Sequence, residues 1–197
     1  MKTCNMKRCA WVPVNDQVYK NYHDNEWGVP VIDEHKICEM FFLETFQAGL
    51  SWITILKKRE AFRKAFDDFD PNKIAKYDEQ KIQELLLNPG IIRCQRKIRA
   101  AVKNAAVILS IRKEKGSFSE YLWSFSNHQR IVNMDNQSKT TSELSDRISA
   151  DLKKRGMSFV GSITMYSYLQ AIGIINDHHT ECFRYKEIED GVLGSIR

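Results

Sequence analysis

No apolar run in this chain reaches the roughly 18 to 20 residues of a membrane span, and MFFLETF is interrupted by Glu44. Segments alternating apolar and polar residues over strand length are nearly absent, and internal repeats and low-complexity tracts are missing, which excludes a mainly β or repeat architecture. Cysteine is sparse and odd in number: five, at positions 4, 9, 38, 94 and 182, with no CxxC pair. Such scattered thiols, behind an N-terminus that does not read as a secretory leader, point to a reducing cytoplasmic compartment where cysteines stay free or bind metal. Charge of one sign is not extreme either. Thirty Lys and Arg against twenty-five Asp and Glu give +5, a mild preference for anionic partners that can still conceal one basic face.

What is present is helical pattern over nearly all of 197 residues, enough chain to close a core without covalent staples. Asp33 can cap a helix through HKICEMFFLETFQA, and Ser51 can start another through WITILKKREAFRKAFDDF. Asp70 with Pro71, and Asp78 ahead of EQKIQELLL, mark two more starts. A long helix from about Gln95 to Lys115 is expected to stop at Gly116 in a left-handed conformation. Ser117 with Glu120 has capping-box spacing, and a last strong pattern runs from Ile163 to about Gly173. The polar stretch 133–145 reads as a surface loop leading into a helix that ends at Gly156. The expected fold class is all-α, with a few irregular turns at the N-terminus, one unit of two helical lobes and a monomer.

Three clusters carry chemistry. His178 and Cys182, four apart in INDHHTEC, can face the same way, and Cys9 and His23 near the N-terminus supply a complementary pair. Together they would make a closed Cys₂His₂ zinc site of structural type, tying residues 1–30 to 174–184. Cys4 is an alternative to Cys9, and free buried cysteines with surface histidines are the alternative to a metal. His179 should point elsewhere.

The second cluster is aromatic: Trp11, Tyr19, Tyr22, Trp27 and Trp52 gather in the first quarter of the chain, suited either to sandwiching a flat, positively charged heterocycle or to an aromatic core. Glu44 shares a helical face with Met40, Phe41 and Ala48, so its carboxyl is expected among apolar groups. It needs a partner, either a structural cation or a ligand that donates N–H groups. The third cluster is LLLNPGIIRCQRKIRAAVKNA, an αα-hairpin within 78–115. Its glycine turn and the cations Arg93, Arg96, Lys97 and Arg99, taken to open the second helix, suit phosphate contacts on DNA.

The order of RCAWV, YHDNEWGVP, FLETFQAGLSWITILKKRE, GIIRCQRKI, LWSFSNHQ, LKKRGMSFVG and INDHHTEC resembles the bacterial 3-methyladenine DNA glycosylase I family from about Lys7 to Cys182. The resemblance implies a helix-hairpin-helix DNA glycosylase fold. It implies a structural zinc on Cys9, His23, His178 and Cys182, and an alkylbase pocket of Trp11, Tyr19, Tyr22, Trp27 and Trp52. Glu44 is the residue implied to read the base. DNA contacts are implied at Gly49, Leu50, Gly90, Ile91, Arg93 and Lys97, with Leu50 as a wedge in the gap left by a flipped nucleotide. The expected partner is alkylated double-stranded DNA, with free 3-methyladenine as product. The chain departs from the family pattern at Thr45 and Phe46, and its loop between Cys9 and His23 is one residue longer.

In the family chemistry, methylation at N3 makes the base cationic, so the glycosidic bond already has a good leaving group. Between Lys97 and Asp135 the only acidic residues are Glu114 and Glu120. The catalytic aspartate that many related glycosylases place there is missing, which implies little acid–base help and a narrow substrate range; no lyase step is expected either, since no lysine is singled out by an apolar setting. Two rivals stand beside this reading: a non-catalytic DNA-binding module stapled by zinc, and a zinc hydrolase, which the missing HExxH motif disfavours.

Overall fold

The computed structural model describes residues 6–191 and is built from ten helices with one minimal pair of strands. In chain order the helices are α1 (Gln17–Asn25), α2 (Glu34–Gln47), α3 (Trp52–Ala65), α4 (Pro71–Ile74), α5 (Glu79–Leu87), α6 (Gln95–Lys115), α7 (Phe118–Ser124), α8 (Glu143–Lys154), α9 (Ser162–Ala171) and α10 (Phe183–Gly191). Most begin where a short acceptor can take an orphan N–H. Asp16, Asp33, Asp70, Asp78, Ser117 and Ser142 each accept from the first turn of the helix that follows.

Helix α2 is the axis of the molecule. Every residue from Ile37 to Phe46 is buried, because α3, α6, α7 and α9 pack around it. A helix buried on every side is a core element, and the two carboxyl groups it carries inward, Glu39 and Glu44, each need an explanation. Phe46 meets Phe62 at 4.9 Å between ring centres and Phe66 at 5.3 Å, which joins α2 to α3. Glu34 ties the start of α2 to α7 by accepting the N–H groups of Phe118 and Ser119, each at 2.9 Å. Trp123, buried on α7, donates its indole N–H to the Val31 carbonyl at 2.9 Å and so serves packing.

The N-terminal region is more regular than the sequence suggests: Asp16 caps a genuine helix, α1, that carries Tyr19, Tyr22 and His23. Gly116 does stop α6 at positive φ, but with ψ −47° it lies outside the left-handed helical region. Ser117 accepts from the Glu120 N–H, whereas the Glu120 carboxylate lies 3.3 Å from His128 instead of closing a capping box. The reciprocal box forms at Ser142 and Ser145.

Two-residue strands β1 (Ile131–Val132) and β2 (Ile175–Asn176) pair in parallel, with Ile131 opposite Ile175. This short ladder lays the 133–139 loop beside the segment that carries His178. No described helix is long and apolar enough to cross a membrane.

Candidate functional site: a buried Cys and His cluster beside an aromatic cavity

Helix α1, the N-terminal arm and the segment after β2 bring Cys9, His23, His178 and Cys182 together. All four are buried, and one ligand atom from each lies within 4.8 Å of the others. Cys9 Sγ is 3.5 Å from His178 Nδ1, while Cys182 Sγ is 3.4 Å from His23 Nε2 and 3.6 Å from His178 Nδ1. A tetrahedral ion with bonds of about 2.3 Å to sulfur and about 2.0 Å to nitrogen has S···N edges of roughly 3.5 Å. The four residues therefore fit such an ion as they stand.

The other ring nitrogens are held as metal-binding histidines require. His23 Nδ1 is 2.8 Å from the Asp24 carboxylate, itself gripped by Arg8, and His178 Nε2 is 3.0 Å from the Trp27 carbonyl. The thiol of Cys182 is pushed well down by the hydrogen bond from Cys9 and then by the two imidazoles, while the same pairing pushes Cys9 up. One thiolate is thus favoured even before a cation arrives. His179 is partly exposed, with its Nδ1 accepting the Glu181 N–H at 3.3 Å, and Cys4 lies outside the described residues.

Against this cluster lies a cavity of about 390 Å³, within the size range of small-molecule sites. All five aromatic residues singled out in the sequence line it, with Glu44. Trp27 is the link to the cysteines and histidines, its ring 4.6 Å from His178 and 5.0 Å from Trp11. Tyr22 and Trp52 meet at 5.4 Å, and the Tyr19 hydroxyl accepts the Ile53 N–H at 3.2 Å, which fixes the start of α3 against α1.

Glu44 projects from α2 into this wall with 3 % of its surface exposed. It makes no hydrogen bond or ion pair among the described residues, and its Oε2 is buried without a partner. Burial alone pushes its carboxyl up to about 8. The Trp52 indole N–H is likewise buried and unpaired. An acceptor and a donor are thus withheld from solvent and left open on one cavity, an arrangement that favours a flat ligand with polar edges. The structural-cation alternative for Glu44 fails: no cation pairs with it among the described residues, and Arg59 and Arg63 of α3 are engaged by Glu39 instead. Thr45 and Phe46 turn into the core, Thr45 donating to the Phe42 carbonyl at 2.8 Å, so neither shapes the cavity.

Several lining residues escape a linear reading. Gln47 lies three positions after Glu44 on α2, and Ser167 and Gln170 form a polar edge on the otherwise apolar α9. Asp177 adds a second carboxylate to the wall, its oxygens held by Asn133, Tyr166 and Gln170. The 133–139 loop closes one side of the cavity rather than only covering surface. Asn136 anchors it by exchanging two hydrogen bonds with Thr180, at 2.8 and 2.9 Å. Only the polar step beside the His178 segment and the spacing within α9 offered a signal for these.

The hairpin forms between α5 and α6 with four differences from expectation. Arg93 is exposed but lies in the turn before α6, which starts at Gln95. The Gly90 N–H is taken by Asn88 Oδ1 at 2.8 Å, and glycine is required there because a Cβ would sit 2.9 Å from Ala61. The Ile91 side chain is buried in the core. Lys97 is turned inward, donating to the Phe46 and Ala48 carbonyls at 2.8 and 2.6 Å. It secures the end of α2, just before Gly49 at φ +78° and the exposed Leu50. Cys94, at the N-cap of α6, gives that helix no side-chain cap.

A helical core, a hairpin beside it and an aromatic cavity floored by an unpaired carboxyl make up the site. Residues 11–185 match the family model described as methyladenine glycosylase. This chain belongs to that family. It is 47 % identical over 186 residues to DNA-3-methyladenine glycosylase 1 of Escherichia coli (strain K12), covering 91 % of this chain and 97 % of that protein. A crystal structure of 3-methyladenine DNA glycosylase I superimposes with TM-score 0.86 at 46 % identity, over 90 % of this chain and 98 % of the other. A Staphylococcus aureus 3-methyladenine DNA glycosylase I, solved for its recognition of 3-methyladenine, gives TM-score 0.86 at 38 % identity, over 90 % of this chain and 96 % of that one.

Proposed function

We propose that this protein removes 3-methyladenine from alkylated double-stranded DNA by hydrolysing its N-glycosidic bond, in base-excision repair. The observation that carries the reading is the buried, unpaired Glu44 carboxyl on an aromatic cavity. A cationic alkylbase brings both the positive charge that lets Glu44 ionise and the N–H donors that its oxygens lack. Extruding a damaged base from the stack costs a few kcal/mol, less than for an intact pair. The tryptophan and tyrosine faces then favour the cation, and a neutral base lacks that term.

Because the base leaves as a neutral molecule from a cationic nucleoside, little proton transfer is needed. Glu44 acts by electrostatics and hydrogen bonding, and Trp52 supplies an N–H to a ring acceptor. Glu114 pairs with Arg155 and Glu120 lies beside His128, so neither serves as a base. Zinc is the metal proposed for the Cys₂His₂ cluster: four ligands close its sphere, and its role is to hold α1 and the 174–184 segment around the cavity. Leu50, on its exposed turn, is proposed to fill the gap in the duplex. Arg93 and the open start of α6 are proposed to hold phosphates, and Gly90 and Ile91 to set the backbone of that turn. Lys97 is assigned to the scaffold.

The test is release of free bases from methylated duplex DNA by the purified protein, separated by chromatography against authentic standards. Release of 3-methyladenine with little 7-methylguanine is expected; no release from folded, metal-replete protein would leave a DNA-binding module as the better reading.

A further inference from the structure

The block LKKRGMSFVG joins α8 to α9 and contributes nothing to the cysteine and histidine cluster or the cavity wall, yet its turn is fixed from two sides. Asn104, fully buried on α6, accepts the Ser158 N–H at 2.9 Å and donates to the Ser158 carbonyl at 2.9 Å. Ser149 on α8 donates to the Val160 carbonyl at 2.7 Å. Between these clamps Phe159 has φ +59°. A bulky residue takes this left-handed conformation only when its surroundings impose it, and such strain gathers where a side chain must be presented for use. The ring gains no core packing in exchange: it is partly exposed and stands outside the apolar cluster that Met157 and Val160 enter.

Two relationships locate the ring. The Lys97 ammonium lies 5.9 Å from its centre while holding the Phe46 and Ala48 carbonyls, so Phe159 flanks the turn that presents Leu50. On its other side the chain enters α9, where exposed Ile163 is followed at helical spacing by Ser167 and Gln170 of the cavity wall. Phe159 therefore stands between the hairpin, the Leu50 turn and the helix that leads into the cavity.

We propose that Phe159 is a further DNA-contacting residue, an aromatic face that stacks on a duplex base beside the extruded nucleotide while Leu50 occupies the gap. This inference rests on the reading of the chain as a glycosylase acting on duplex DNA. Stacking on an aromatic side chain tolerates any base sequence, as a lesion-directed enzyme requires.

The experiment compares full-length, metal-replete wild type with Phe159→Ala, Phe159→Trp and Phe159→Gly. It measures affinity for free 3-methyladenine, affinity for a duplex with a tetrahydrofuran abasic site flanked by 2-aminopurine, and thermal melting. Phe159→Ala is expected to leave free-base affinity unchanged, to weaken duplex binding about tenfold and to abolish the 2-aminopurine signal, with Trp retaining both. Phe159→Gly, which relaxes φ, is expected to share the DNA defect while melting no lower than wild type. Wild-type duplex affinity and fluorescence in the Ala and Gly variants would overturn the proposal, as would a lower melting point in Phe159→Gly with DNA binding intact. A failed cavity assignment shows separately, as loss of free-base binding in wild type.

Discussion

Glu39 and Glu44 lie five residues apart on α2, exposed by only 2 % and 3 %, and their carboxyl groups are driven in opposite directions. Glu39 faces Arg59, Lys36 and Arg63, whose pairing outweighs its burial and lowers it, whereas Glu44 faces only the cavity and is raised to about 8. One helix thus carries a structural carboxylate and a ligand-binding one, distinguished by environment alone. Replacing Glu39 with Gln leaves Arg59 buried without its main counter-charge and should destabilise the protein by about 3 kcal/mol. Glu44→Gln should melt higher than wild type at neutral pH, by on the order of 2 kcal/mol, while excision falls about a hundredfold. Thermal melts and single-turnover excision on the same preparations decide this; a destabilised Glu44→Gln would contradict the unpaired state.

The sign of the pH dependence follows from the same group. Glu44 is raised, so in the empty enzyme the charged form that attracts a cationic base accumulates as pH climbs through about 8. Because kcat/KM reports ionisations of the free enzyme, it should rise toward that pH and then level, and the rise should vanish in Glu44→Gln. Stability runs the other way: folding favours the protonated carboxyl, so this contribution declines from the ordinary glutamate range up to about 8. A kcat/KM flat between pH 6 and 8.5 would remove Glu44 from base recognition.

Metal analysis of the purified protein should find one zinc per chain. Cys182→Ala should lose it and melt many degrees lower, since binding energy at such a site is folding energy. Gly28→Ala offers a gentler test, because its Cβ would lie 3.0 Å from His178 Cδ2 and its φ is +76°. Asp24→Asn, which weakens the hold on His23, should lower metal affinity about tenfold in a chelator competition.

Two of the hairpin cations, Arg93 and Lys97, should separate cleanly. Arg93→Ala is expected to lower the salt dependence of duplex binding by roughly one counterion while stability stays unchanged. Lys97→Met should lose stability, because the Phe46 and Ala48 carbonyls lose their donor, with the salt slope preserved. Equal effects of both on the slope would return Lys97 to the phosphate contacts.

Leu50→Ala should weaken binding to an abasic-site duplex and slow excision about tenfold, with free 3-methyladenine binding intact. Titrations with duplex and with free base separate the two, and equal losses in both would mean that the turn supports the cavity rather than the gap.

By itself the sequence determined what rests on local rules. Asp33, Asp70 and Asp78 mark their helices because a short acceptor before an apolar pattern has little else to satisfy, and the fourfold spacing of His178 and Cys182 makes one face of a turn. The aromatic set and the suspect glutamate were legible because residue type limits chemistry. Tertiary structure decided what depends on neighbours far apart in the chain. Arg59 and Arg63 could have served either buried glutamate; packing of α3 on α2 gave them to Glu39 and left Glu44 open. Lys97 reads as a phosphate contact in its basic run, yet the carbonyls at the end of α2 claim it. The 133–139 loop became a cavity wall only because β1 pairs with β2 and sets it beside His178. A helical period fixes a face within one segment, but it cannot say which partner will reach that face first.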